Sequence, residues 1–138
     1  MTLKEFFKRD RFASLAGIEL TEVSEGHSKA RMLVKEEHLN GGDVCQGGAL
    51  FTLADLAFAA AVNSHRVLTV STSSNITFFR PVAKGSYVYA EATETVDHRR
   101  MPFAEVRLTD DEGRLVAVFT SSGYRKEGMV LSDVEEVL

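Results

Sequence analysis

The longest apolar segment of this chain, residues 49–62, comes directly after a glycine-rich loop. The loop reads Asn40-Gly41-Gly42-Asp43-Val44-Cys45-Gln46-Gly47-Gly48, and a single carboxylate, Asp55, interrupts the apolar residues that follow. A helix that is apolar on nearly every face is buried in the core, so the segment predicts a buried helix over residues 48–64. The first amides of such a helix are free and carry partial positive charge. Free amides at one end and a desolvated acid two turns along are the ingredients of an acyl-transfer site.

Length, charge and cysteine content exclude several classes of protein. The 138 residues are those of one domain, spanning 1–138. A net charge of −4 without a dense basic block argues against a nucleic-acid partner. The run 44–62 is long enough to span a membrane, but Gln46 and Asp55 within it favour a protein core. A single cysteine cannot form an internal disulfide, and no signal-peptide pattern opens the sequence, so we expect a cytoplasmic protein without a membrane partner.

Outside the central segment the sequence predicts one more helix and several short strands. A short helix over 2–16 has Thr2 and Glu5 as a capping box and Gly17 as its stop, and its phenylalanines are expected to pack. Alternation between turn residues predicts strands over 18–23, 29–34, 67–79, 86–96, 102–109 and 114–124. A C-terminal tail, 126–138, remains, in which 129–138 forms either a last turn capped by Ser132 with Glu135 or no ordered structure.

The order of these elements predicts the fold class. A helix and a hairpin come first, then the long buried helix, then a meander of about four strands. This order fits an α+β domain in which an antiparallel sheet of five or six strands wraps around one long central helix. That arrangement is known as the hotdog fold.

The predicted strand 67–79 has an unusually polar face. Leu68, Val70, Ile76 and Phe78 are expected on one side, and serine, threonine and asparagine side chains on the other. A face this polar on a long strand suggests hydration, a ligand or contact with another subunit. Together with an exposed strand edge, it predicts at least a homodimer.

The spacing of the loop and the acid resembles that of the PaaI-type hotdog thioesterases. Their signature is an Asn, a His-Gly-Gly and an acid nine positions after the His. Here Asn40 lies six positions before Gln46, Gln46-Gly47-Gly48 stands in the place of His-Gly-Gly, and Asp55 lies nine positions after Gln46. The resemblance continues over about residues 18–124, through Ser71-Thr72-Ser73-Ser74-Asn75-Ile76-Thr77-Phe78 with Pro81 and through Gly113-Arg114-Leu115-Val116-Ala117.

This resemblance implies hydrolysis of an acyl-CoA thioester, without a metal or an organic cofactor, at a site shared between the subunits of a dimer that pairs into a tetramer. Asp55 would be the nucleophile or the general base that activates water. The Gly47 N–H would polarise the thioester carbonyl, Asn40 would hold the acyl carbonyl or the attacking water, and Ser71 would orient that water. Further candidates for substrate binding are Gln46, Gly48 and Phe51 and, as cations able to meet the phosphates of CoA, Arg80, Arg99 and Arg100.

One position departs from the family pattern, because Gln46 stands where the family has His. Glutamine keeps the capacity to hydrogen-bond but cannot take up a proton. A second hypothesis is therefore an acyl-CoA-binding or sensing module that has lost turnover. A third is a structural oligomer with a vestigial site.

Each candidate residue also has an ordinary structural explanation. Asp55 could be a structural acid, the glycine pair a tight junction between loop and helix, Asn40 a turn cap, and Ser71 one serine among many. Cys45 has no His–acid pair spaced to activate it, so we expect it to pack in the core. The histidines lack metal-ligand spacing, and surface or capping roles are expected for His27, His38, His65 and His98.

Overall fold

One sheet of six antiparallel strands and one long helix make up most of the protein. The structure, a computed structural model, describes residues 1–131. Its strands are β1 (Ile18–Ser24), β2 (His27–Leu33), β3 (Val67–Phe78), β4 (Tyr87–Val96), β5 (Phe103–Thr109) and β6 (Leu115–Val130), and its helices are α1 (Leu3–Phe7), α2 (Arg11–Leu15) and α3 (Gly47–Val62). Across the sheet the strands run in the order β1-β2-β4-β5-β6-β3.

The long helix α3 fills the core of this sheet. Its alanines let the helix lie close to the strands, where side chains from both elements interdigitate at high density. The buried cluster includes Leu53, Ala57 and Phe58 from α3 and Val88, Val106 and Phe119 from the sheet. The predicted hotdog fold, an antiparallel sheet around one long central helix, is confirmed.

By length and hydropathy the segment Gly47–His65 could cross a membrane. Most residues of α3 are nevertheless buried inside the fold. A helix in the core of a sheet needs the same apolar composition, so this position accounts for the hydropathy of the segment.

The N-terminal region contains two short helices where the sequence predicts one helix over 2–16. The predicted capping box is present, since Thr2 Oγ1 accepts the N–H of Glu5 and the Glu5 carboxylate accepts the N–H of Thr2. The chain then turns after α1, because Asp10 adopts an extended conformation and starts α2 as its N-cap, accepting the Ala13 N–H at 3.0 Å. The single helix was therefore wrong: a second cap divides it.

The last strand is longer than predicted. Alternation predicts a strand that ends at residue 124 and a tail from 126, but β6 continues to Val130 and pairs there with Val67 at the start of β3. The Leu131 N–H then donates to the Arg66 carbonyl at 2.9 Å. The start of the tail was therefore wrong, because long-range pairing extends the strand. The predicted turn at Ser132 and Glu135 lies outside the described residues.

Strand β3 lies at one edge of the sheet and pairs on one side, with β6. Its register shifts between Val67 and Thr69 and again between Ser71 and Ser73. The alternation is consequently reversed at its start, where Thr69 is buried and Val70 is 40% exposed. The predicted placement of Val70 on the same side as Leu68 and Ile76 was wrong, since bulges move side chains to the opposite face and periodicity alone does not reveal them. Residues 70–75 are exposed on both faces.

Candidate active site

Asn40 holds the glycine loop in shape. Its Oδ1 accepts the N–H of Gly42 at 2.8 Å and that of Val44 at 3.3 Å, and its own backbone N–H donates to the Val44 carbonyl at 2.8 Å. The turn also requires a left-handed residue, which is Asp43 with φ 62°. Asn40 therefore caps the turn, as its structural explanation predicts. Its exposed Nδ2 amide has no hydrogen-bond partner within residues 1–131.

Helix α3 starts from this loop without a side-chain cap. Gln46 is the N-cap residue, but its side chain makes no capping hydrogen bond, and its backbone N–H donates to the His38 carbonyl at 2.8 Å. In the part of the chain that the structure describes, the N–H groups of Gly47 and Gly48 meet no acceptor. Free amides at the positive end of a helix stabilise an anion.

A side chain at either glycine of this helix start would require a neighbouring side chain to shift. A Cβ on Gly47 would lie 2.9 Å from Cζ of Phe78, and one on Gly48 would lie 2.5 Å from Oε1 of Gln46. The Phe78 ring covers one side of the first turn, and the Gln46 side chain folds over the other. Phe78 is still 49% exposed, so this corner remains open to solvent.

Asp55 lies on the stripe of α3 that the sheet leaves uncovered. It follows Gly48 and Thr52 at helical spacing and is half-buried. Burial raises the pKa of its carboxyl group above the ordinary 3.8, and the negative charge of Asp10 raises it further. Within residues 1–131 its side chain makes no hydrogen bond. A carboxylate that is partly desolvated and unpartnered is more basic than an exposed one.

Asp10 lies close enough to Asp55 to affect its pKa because α2 packs against α3. Its carboxylate serves two purposes, since it caps α2 and also acts on the charge of Asp55. Sequence spacing does not indicate this effect of Asp10 on Asp55. Its capping position is visible in the sequence, but its distance from Asp55 depends on how two elements pack.

The two principal groups are too far apart in one chain to act on the same carbonyl. Gly47 and Asp55 are separated by eight residues of continuous helix, which at 1.5 Å per residue is about 12 Å. One protomer therefore presents an amide donor and a carboxylate at different points along α3.

Ser71 lies on β3. It pairs with Gly123 of β6, and a Cβ on Gly123 would lie 3.6 Å from Cζ of Phe58, which follows Asp55 by one turn. Ser71 is exposed.

Phe51, a further candidate for substrate binding, lies on α3. It packs edge-on against Phe119 with ring centroids 5.2 Å apart, so its ring is largely a core contact.

The three candidate arginines are exposed, but they do not lie together. The Arg80 N–H donates to the carbonyl of Val116, whereas the Arg100 carbonyl accepts the N–H of Arg125 at 2.7 Å. Val116 and Arg125 are nine residues apart on β6, a distance of about 30 Å along an extended strand. Arg80 is thus at one end of the sheet, and Arg99 and Arg100 are at the other.

Cys45 is buried and belongs to the core cluster, as predicted. Burial raises the pKa of its thiol to about 11, so the reactive thiolate is disfavoured.

His38 has a larger structural role than the predicted surface or capping position. It is buried, its Nδ1 accepts the N–H of Lys35 at 2.8 Å, and its Nε2 lies 2.7 Å from the Ala16 carbonyl. Because Nδ1 accepts, the proton is on Nε2 and is donated to Ala16. The ring thereby joins the end of α2 to the segment that precedes the glycine loop.

A possible metal-binding group lies at the other end of α3. His65, Glu94 and Asp97 place one potential ligand atom each within 4.8 Å of one another, which sequence spacing did not reveal. The Nη2 atom of Arg125 is 3.2 Å from Asp97 Oδ1 and 3.9 Å from Glu94 Oε2. A fixed cation thus already compensates these carboxylates, and the group is an ion-pair network.

Comparisons with known proteins identify the family of this chain. A family model described as the Thioesterase superfamily matches residues 42–117. Acyl-coenzyme A thioesterase PaaI of Escherichia coli is 30% identical over 92% of this chain and 91% of its own, and its structure superposes with a TM-score of 0.87 over 91% of each chain.

Two further solved structures are similar. TT0310 of Thermus thermophilus is 35% identical, with a TM-score of 0.82 over 86% of this chain and 99% of its own. A Streptococcus mutans protein solved with acetyl CoA is 21% identical, with a TM-score of 0.76 over 79% of this chain and 88% of its own, and this likeness concerns the fold alone. The chain belongs to the thioesterase superfamily, as a PaaI-like thioester hydrolase with the hotdog fold.

Proposed function

We propose that this hydrolase converts an acyl-CoA thioester and water to a free acid and coenzyme A, with Asp55, Gly47, Asn40 and Ser71 as its reacting and orienting groups. One observation carries the proposal. Among residues 1–131, helix α3 offers free amides at its first turn and, further along its open stripe, a half-buried carboxylate without a hydrogen-bond partner. The similarity to the E. coli acyl-CoA thioesterase supports this substrate class.

The free amide of Gly47 would stabilise the negative charge that develops on the thioester oxygen. Attack on a thioester carbon moves an electron pair onto that oxygen, and a fixed backbone donor at a helix start contributes about 3 kcal/mol of transition-state stabilisation. The Nδ2 amide of Asn40 is a second donor beside the same loop. No metal or organic cofactor is needed for this step.

Asp55 would supply the base or the nucleophile. As a base it takes a proton from water, the resulting hydroxide attacks the carbonyl carbon, the carbon–sulfur bond breaks, and the CoA thiolate leaves. As a nucleophile it first forms an anhydride, which water then hydrolyses. Its raised pKa increases its basicity in either route, and Ser71 would orient the water.

A complete site would need a second copy of the chain. The amide and the carboxylate are about 12 Å apart along one helix, so two helices must approach each other, the Gly47 end of one facing Asp55 of the other. The exposed edge of β3 is suited to pair with a second copy. We propose a homodimer, assembled further into a tetramer.

The CoA phosphates would meet Arg80 of one chain and Arg99 or Arg100 of another. The buried, unpaired Cys45 is compatible with a reducing cytoplasm, where we place the protein.

A panel of acyl-CoA substrates tests the proposal directly. Short, medium, long and aryl thioesters are incubated with the protein, and free thiol is measured with a thiol reagent. We expect release from at least one class, and loss of release in Asp55→Asn. The control is Asp111→Asn, the same chemical change in the turn after β5, which should retain activity.

Gln46 favours one alternative, an acyl-CoA-binding or sensing module, because glutamine cannot exchange the proton that the family histidine can. Binding of the panel, measured by calorimetry, without thiol release would establish that alternative. Neither binding nor a thermal shift with any acyl-CoA would leave a structural oligomer.

Complementation tests the shared site. Asp55→Asn and Gly47→Val are each expected to be inactive as homodimers, but a mixed dimer contains one intact site. Mixing the two unfolded chains and refolding them together should restore about a quarter of wild-type activity, since half of the dimers are mixed. Mixed dimers that form, as native mass spectrometry would detect, but stay inactive would contradict a site built from two chains.

A further inference from the structure

A cleft beneath the N-terminal helices has no part in the chemistry described so far. It lies where α1 and α2 pack against β1, and its volume is about 420 Å³. We propose that this cleft, the α1–β1 cleft, is a second binding site and that it binds an amphipathic carboxylate, a molecule with an anionic head and an apolar chain. The free acid that the proposed reaction releases belongs to this chemical class, but the inference does not require hydrolysis.

The bottom of the α1–β1 cleft is apolar. The lining includes Phe7 of α1, Ala13 of α2, Leu20 of β1 and Leu56 of α3. Ala13 and Leu56 are buried, so they lie at the bottom of the cleft. An apolar chain placed there displaces water from these side chains, and this displacement favours binding. The volume falls within the range of about 300–1,000 Å³ that is typical of small-molecule sites.

Two lysines at the rim supply the charge that a carboxylate head requires. Lys4 is partly exposed and Lys8 is exposed, and both line the cleft. Lys8 keeps helical backbone angles as the C-cap residue of α1, so at spacing i, i+4 the two side chains share one face of the helix. Within residues 1–131 neither ammonium group has a carboxylate partner. Like charges at this spacing repel, and a carboxylate bound between them would remove that repulsion.

The acidic residues of the cleft do not compensate these lysines, because each already has a partner. The Glu5 carboxylate accepts the Thr2 N–H at 2.8 Å, and Glu19 Oε2 lies 3.4 Å from Arg31 Nη2. A carboxylate ligand therefore meets two available cations, whereas an ammonium ligand meets two carboxylates that are already engaged. This distribution of partners favours an anionic head over a cationic or a neutral one.

The position of the cleft keeps it separate from the proposed hydrolytic site. Strand β1 is at one edge of the sheet and β3 is at the other. The proposed pairing with a second copy uses β3, so it takes place at the edge farthest from the cleft. The cleft lining does not include Asn40, Gly47, Asp55 or Ser71. Binding in the cleft can therefore be distinguished from binding at those residues.

Titration with octanoate tests the inference. Backbone amide shifts are followed by NMR in the wild type and in the double variant Lys4→Gln, Lys8→Gln. In the wild type we expect saturable shifts at Ser14, Glu19 and Leu56, which line the cleft. In the double variant we expect affinity to fall about fivefold or more, because two ion pairs with the head are lost. Both lysines lie at the surface and glutamine is similar in shape, so the fold should survive.

Two controls complete the experiment. The double variant Lys84→Gln, Lys126→Gln makes the same change in charge at two exposed lysines outside the cleft, and it should bind octanoate as the wild type does. The uncharged analogue 1-octanol should bind the wild type about fivefold more weakly than octanoate.

Three results would overturn the inference. They are equal affinity of the wild type and the Lys4→Gln, Lys8→Gln variant for octanoate, equal binding of octanoate and 1-octanol, and shifts confined to the first turn of α3 and Asp55. The last result would place the acid in the hydrolytic site alone. Because octanoate binding is measured without a thioester, failure to hydrolyse any acyl-CoA would overturn only the proposed function.

Discussion

The polar groups at the two ends of α3 differ in how fully they are hydrogen-bonded. At the C-terminal end Asn63 is buried, and its side chain donates to the carbonyls of Ala59 and Thr69 and accepts the N–H of Thr69. Ser64 donates to Ala61 and accepts the N–H of Gly26 at 2.7 Å. At the N-terminal end, by contrast, the first amides have no acceptor among the described residues and Gln46 does not cap them.

This difference separates polar groups that hold the fold from polar groups that are available to a ligand. A buried polar side chain with all its hydrogen bonds stabilises the native state, whereas an unpartnered one carries a desolvation cost. Asp55 and the glycine amides belong to the second kind. We call residues 46–55 the open part, and residues 63–65, which directly follow α3, the closed part.

Asp55→Asn should have opposite effects on activity and stability. We expect kcat to fall about 10³-fold, because the base or nucleophile is removed. The folded pKa of Asp55 is raised above 3.8, so the native state holds the proton more tightly than the unfolded chain. Stability is therefore lost as pH rises through that range. At pH 7 the variant should therefore melt at a higher temperature than the wild type. An unchanged or lower Tm by calorimetry would place Asp55 among the stabilising groups.

Asn63→Ala, in the closed part, should lower stability and leave activity unchanged. Three hydrogen bonds disappear, two of them fully buried, and the Thr69 backbone groups lose these partners, so the free energy of unfolding should fall by about 3 kcal/mol. Chemical denaturation measures this, and kcat per folded molecule should not change. A large loss of kcat with normal stability would break the comparison.

Gly47→Ala tests whether the open part needs its close contact with Phe78. An added Cβ would lie 2.9 Å from Cζ of that ring, so the ring and the first turn must shift. Because Phe78 is half exposed, we expect little loss of stability but about a tenfold lower kcat from the displaced amide. In the same loop, Gly41→Ala is a matched control, since its Cβ would meet nothing within 4 Å.

Asp10→Asn should produce the smallest effect, on pH dependence alone. Asparagine keeps the α2 cap but removes the negative charge that helps to raise the pKa of Asp55. Since activity needs ionised Asp55, the acid limb of the kcat/KM profile should move to lower pH. Asp111→Asn should leave that limb in place, and an unmoved limb in Asp10→Asn would show that burial alone sets the pKa.

Local patterns predicted the elements that local forces determine. The glycine loop, the buried α3 and the capping box at Thr2 were all readable from spacing and composition. The reversed positions of Thr69 and Val70 were not, because a bulge depends on the partner strand. For the same reason the extension of β6 to Val130 was missed, since its partner, Val67, lies far away in sequence.

The candidate site was predictable to a similar degree. Asn40, Gln46, Gly47 and Asp55 are grouped by short spacings along one loop and one helix. Asp10 and His38 act through contacts between distant segments. The opposite placement of Arg80 and Arg100 likewise follows only from the sheet order.

The pairing at the end of β6 has a consequence for the N-terminal helices. Leu131 shares a small apolar cluster with Leu3, Val23 and Ala60. The residue that follows β6 therefore packs against α1. Because α1 leads directly into α2, weakening the contact of Leu131 with α1 would also release α2, without disturbing the sheet. Amide exchange in α1 and α2 should therefore quicken together when Leu131 is shortened to alanine, while the middle of the sheet stays protected.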